Sequence, residues 1–142
     1  MIPLRNFIAL VGRSLLAFIF VQSGIGKLGA IDATVANMTG HGIPLSNVLV
    51  WGAVALEIGG GLLLMTGLFA RCAALALAIY TLVLAVLFHA YWLAPAAEAR
   101  MQHASFFGHI SMIGGMLYVV AFGAGGYSLD ALRGRQSQGL NS

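Results

Sequence analysis

The chain has 142 residues, of which 60% are hydrophobic and only 8% charged. A soluble domain carries about 25% charged residues, so there is too little charge to cover a water-facing surface, and the solvent must be largely lipid. A formal net charge of +3 does not point to nucleic acid, because the basic residues are scattered singly and mostly flank apolar runs.

The first apolar run, Phe7 to Leu28, follows Arg5. It is long for a signal sequence, no small-residue cleavage motif closes it, and it reads as a retained first span. The stretch Gly29 to Ser46 is polar, and the spacing of Ile31, Val35 and Met38 predicts a short amphipathic helix at the membrane surface. A second span is expected over about 47–69 and a third over about 72–93, joined by a tight hairpin at Gly67 to Arg71. The single Cys72 excludes an intrachain disulfide and any CxxC pair, and reads as a small packing residue. Residues 94–102, with Pro95, Glu98 and Arg100, read as a loop before a fourth span over about 103–123. A polar tail, 127–142, follows, and its last residues are expected to be disordered.

The spans are expected to be helical, because backbone groups in hydrocarbon must bond within their own segment. The fold class is therefore an all-α, integral membrane four-helix bundle forming one domain. Arg5, Arg71, Arg133 and Arg135 would share one side and Lys27 and Arg100 the other, so the positive-inside bias places both termini in the cytoplasm. Trp51, Tyr91 and Trp92 would then mark the opposite interface.

Ionisable residues inside a span are expensive and are candidates for a site. Here Arg13, Gln22, Lys27, Glu57, His89 and His109 form a polar ladder. By helical rise, Glu57 sits near the centre of its span, Arg13 about 6 Å to the inner side of the midplane, His109 about as far to the outer side, and His89 about 10 Å out. A lone Glu at the midplane would be neutral unless a cation reaches it. Arg13 is the expected partner. Ala53, Glu57 and Gly61 share a face at helical spacing, which turns the carboxyl into the bundle.

The two histidines are close enough in depth for haem b to be geometrically open. Most residues of this kind are also ordinary bundle material. Gly59-Gly60-Gly61 and Gly114-Gly115 are expected to allow close helix approach. Met65, Met112, Met116, Phe18, Phe20, Phe106 and Phe107 serve either as filler or as the lining of a quinone pocket. No metal site is expected.

The motifs, taken in order, resemble the DoxX family of small four-helix bacterial membrane proteins. The pieces that carry the likeness are Gly12-Arg13-Ser14-Leu15-Leu16 through Ser23-Gly24-Ile25-Gly26-Lys27, then Glu57-Ile58-Gly59-Gly60-Gly61, Gly67-Leu68 with Arg71, Phe88-His89 with Trp92, Phe106-Phe107, Ile113-Gly114-Gly115, and Ser128-Leu129-Asp130. The resemblance implies a multi-pass protein of the bacterial inner membrane. It also implies kinship with a subunit of thiosulfate:quinone oxidoreductase, and with membrane thiol-redox complexes. Many relatives carry a Lys-Asn pair where this chain has Gly108-His109.

A quinone-binding or redox-associated membrane subunit is therefore the leading expectation, with His89 and His109 bonding quinone oxygens. Two alternatives belong to other classes. One is a non-catalytic anchor for a peripheral redox enzyme, and the other is a small transporter acting as a homo-oligomer.

Overall fold

The computed structural model describes residues 2–139, and the side chains of residues 3–137. Helix α1 is Ile2–Gly29 and α2 is Ile31–Gly40. Helix α3, Ser46–Ala55, passes through a π-turn at Leu56–Gly60 into α4, Gly61–Thr66. Helix α5 is Ala70–Phe88, α6 is Ala96–Phe122 and α7 is Leu129–Gly139. Among the described residues there is no strand, and four segments are long and apolar enough to cross a membrane: Pro3–Gly29, Ser46–Thr66, Ala70–Leu93 and Ala96–Phe122. The chain is an all-helical, four-span bundle.

Its inside is small. Ala17, Phe20, Leu64, Ala74, Leu77 and Met116 form the centre of the core. Large apolar side chains such as Leu15, Phe18, Ile79 and Tyr118 point outward, as residues solvated by lipid do. Glycine permits the tightest crossings. A Cβ on Gly61 would stand 2.7 Å from Val21 Cγ2 and 3.2 Å from the Ala17 carbonyl oxygen, and one on Gly24 would stand 2.6 Å from Ile58 Cγ1. These contacts set α1 directly against the π-turn and α4. Gly60 on Leu77 and Gly115 on Leu16 act in the same way.

The hairpin between α4 and α5 is closed by Gly67 at φ +72°, with the amides of Gly67 and Leu68 both bonded to the Leu63 carbonyl. Asp130 completes the turn from α7, accepting the Phe69 amide at 2.9 Å and the Ala70 amide at 3.0 Å. That carboxylate caps a helix whose N-cap residue, Phe69, has no side-chain oxygen to offer.

Three local expectations change. The segment 94–102 is largely helix, because Pro95 and a first-turn Glu98 start α6 at Ala96. The polar tail folds as α7 and docks on the hairpin through Asp130, while residues 140–142 lie outside those described. Cys72 is exposed and does not pack inside.

Candidate functional site

The π-turn fixes the site. An extra residue per turn widens the helix locally and is a common device for aiming a side chain. Here it holds Glu57 in the bundle interior at 1% exposure. Lys27 reaches it from the last turn of α1, with Nζ 2.9 Å from Oε1 and 3.0 Å from Oε2. Lys27 also donates to Ser23 Oγ at 2.8 Å, one turn back on its own helix. From α5 the Tyr80 hydroxyl donates to Glu57 Oε1 at 2.7 Å. Two donors thus share Oε1 of Glu57, and the Lys27 amine spans both carboxyl oxygens.

The expected partner of Glu57 was Arg13, and that pairing is wrong. Arg13 lies at the other end of the bundle. Its guanidinium donates to the Met65 carbonyl through Nε and Nη2 at 3.3 and 3.2 Å, to the Tyr127 carbonyl at 3.0 Å, and to the Ala124 carbonyl. Aligned span midpoints bring Arg13 and Glu57 to similar depth, but the helices pack in a different register, with Gly24 beside Glu57. From Arg13 to Gly24, α1 rises about 16 Å. Arg13 ties the C-terminal end of α4 to the loop between α6 and α7 and is not part of the site.

The remaining candidates divide. Gln22 is exposed on the outer surface of α1, away from Glu57. His89 and His109 come together, their ring centroids 4.7 Å apart. His109 Nδ1 lies 2.8 Å from the Ser105 carbonyl. A carbonyl can only accept, so this nitrogen carries a proton, and in the neutral ring Nε2 holds the lone pair. His89 Nδ1 donates to Gln102 Oε1 at 2.8 Å. Two imidazoles packed on one another leave no plane for a porphyrin between them, so this pair does not fit a bis-histidine haem. Among the described residues no three His, Cys, Asp or Glu side chains converge as metal ligands.

Both polar groups open onto one cavity of about 920 Å³. Ser23, Lys27, Tyr80, His89, Gln102 and His109 form its polar side, while Leu49, Ala53, Leu56, Val83, Leu84 and Leu87 form an apolar one. Helix α2 roofs it through Thr34, Asn37, Met38 and His41, and the His41 ring rests on Phe88 with centroids 4.6 Å apart. None of the seven Met and Phe residues proposed from the sequence as pocket lining takes part. Met116 and Phe20 are core, Met65 and Met112 pack against it, and Phe18 and Phe107 face outward.

Comparison with known proteins agrees with this architecture. The model of the family described as DoxX matches residues 8–90, which run from α1 through the site on α5 to just past His89. The chain belongs to the DoxX family. Two Escherichia coli K12 relatives are similar along most of their length. Inner membrane protein YphA is 30% identical over 126 residues, covering 89% of this chain and 90% of YphA. Inner membrane protein YqjF is 33% identical over 123 residues, covering 87% and 89% respectively. No solved structure matches the chain. This DoxX protein is accordingly a multi-pass protein of the inner membrane.

Three participants escape a sequence reading of this DoxX chain: Tyr80, Ser23 and Gln102. The one available signal is the phenol of Tyr80 deep within the third apolar run, whose other tyrosine, Tyr91, lies near its end. A buried tyrosine hydroxyl needs a partner, and its helix offers none.

Proposed function

We propose that this DoxX protein binds a lipid-soluble quinone in the roofed cavity and acts as a redox-associated membrane subunit. The observation that carries the reading is one apolar cavity with an ion pair and a histidine pair on the same side. Its volume lies in the range of small-molecule sites, about 300–1,000 Å³, and its few convergent polar groups are what such sites use for orientation. Bound there, a quinone would supply reversible two-electron, two-proton chemistry at its ring oxygens.

The residues fit that ligand in both protonation states. The Gln102 amide can donate to a ring carbonyl lying beside the Lys27 ammonium, while Nε2 of His109 can accept from a ring hydroxyl. Glu57 holds the Lys27 head group in place. His109, with Nδ1–H fixed on Ser105, is set to take a proton at Nε2 and release it toward the roof. A peripheral oxidoreductase docked at the cavity end would exchange the electrons.

We also place the end bearing Arg5, Arg71, Arg133 and Arg135 in the cytoplasm, which puts the cavity in the periplasmic half. The test is a lipid extract of the purified protein, combined with titration by a short-tailed benzoquinone. Co-purifying quinone and saturable binding that weakens on His109→Ala are expected. Absence of both refutes the quinone, and a stoichiometric oxidoreductase partner recovered without any quinone would favour a purely anchoring role.

A further inference from the structure

The cavity is two-sided. The polar side chains come from α1, α6, Tyr80 in the middle of α5 and His89 just past its end, whereas α3 and the last turns of α5 offer only carbon. Leu49, Gly52 and Ala53 recur at helical spacing on α3, with Leu56 continuing them into the π-turn, and Val83, Leu84 and Leu87 do so on α5. These two faces oppose each other without packing. Helices α4 and α5 are in contact beside the hairpin, yet α3 and α5 make almost none.

The span therefore leans away from α5 above the π-turn and leaves a cleft into the bilayer. Leu49, Val83 and Leu87 line the cavity and are also 42–47% exposed, so they mark its mouth. Toward water the way is covered by α2 and the His41–Phe88 contact. Gly52 sits in the cleft with no atom within 4 Å of where a Cβ would stand.

We infer that the cleft between α3 and α5 is a lateral portal, and that the ligand is an amphiphile whose apolar tail lies in it. The polar ring sits against Lys27, Gln102 and His109, and the tail runs out past Gly52 into the lipid. An apolar chain left in the polar half would desolvate Lys27 and the imidazoles without replacing their hydrogen bonds. In the cleft it meets only carbon and remains continuous with lipid. The assignment rests on the quinone reading and adds the ligand class and its direction of entry.

The experiment compares two probes in lipid nanodiscs at matched mole fraction in the bilayer: 2,3-dimethoxy-5-methyl-1,4-benzoquinone, and the same ring carrying a decyl tail. Both are expected to bind the wild-type chain. Gly52→Trp, which enters open space, should weaken the tailed probe by about tenfold and leave the tailless one within about twofold. A tailed probe with a terminal diazirine should label Leu49, Val83 or Leu87 on the wild-type protein, independently of whether the variant folds. Labelling confined to α1 or α6, or equal weakening of both probes by Gly52→Trp, overturns the portal while leaving quinone binding intact. Failure of both probes to bind the wild-type chain overturns the quinone reading and the portal with it.

Discussion

Lys27 Nζ bridges both carboxylate oxygens of Glu57, at 2.9 and 3.0 Å, from the last turn of one membrane helix to the middle of the next. The carboxylate side chain is 2% exposed and the lysine 22%, so the pair has one foot in the interior and one in the cavity. Removing one partner strands the other charge, which in a buried pair destabilises by about 3–5 kcal/mol. Lys27→Met should show a loss of that order in reversible detergent denaturation. The double variant Lys27→Met/Glu57→Gln should recover much of it. Additive single effects would mean that the two charges are not coupled.

Arg13 provides the contrast. Arg13→Met leaves three carbonyls, one at the end of α4 and two in the loop after α6, without their donor, and a loss of about 3 kcal/mol or more is expected, since hydrogen bonds to charged groups contribute about 1.5–3 kcal/mol each. Arg13→Lys should rescue only part of this, because an ammonium lacks the planar fork. The quinone affinity of the folded fraction should not change in either variant. A change in affinity without a change in stability would return Arg13 to the site.

The glycines separate by position, not by motif. Gly61→Val drives its side chain into Val21 and the Ala17 carbonyl, and should destabilise by about 1–3 kcal/mol through helix separation. Gly26→Ala, with nothing within 4 Å, should be neutral or stabilising by up to about 1 kcal/mol. Parallel thermal melts of the two variants decide the matter.

Asp130 links the tail helix to the hairpin. Asp130→Ala should cost about 1 kcal/mol, the usual worth of an N-cap. The loss should be local, with faster hydrogen exchange at the Phe69 and Ala70 amides and little change in α6. Uniform exchange across the bundle would show that the tail supports the whole fold.

Much of this was legible in the sequence, and the failures share a cause. Span number and helical class follow from hydropathy, because lipid enforces them residue by residue. Polar side chains in apolar runs picked out Lys27, Glu57, His89 and His109. What hydropathy does not carry is register. Equal span midpoints would bring Arg13 and Glu57 close, whereas the actual register is set by Gly24 and Gly61 against particular atoms. The helical start of α6 was hidden by Glu98, Arg100 and Gln102, which lower hydropathy while suiting a helix N-terminus. Tyr80 enters only through a bond across the bundle.

The π-turn divides the second span into two halves with separate duties. Below it, Gly61 and Leu64 mesh with α1 and the core, and above it Leu49, Gly52 and Ala53 face the ligand space. Both halves belong to one continuous rod, so their relative phase depends on the single inserted residue. Deleting one residue between Leu56 and Gly60 would turn the upper half by about 100° about its axis. The lower half would still close the hairpin, but the upper half would present other side chains to the chamber. Ligand choice in this scaffold could therefore be retuned by helix phase alone, with the anchoring half left as it is.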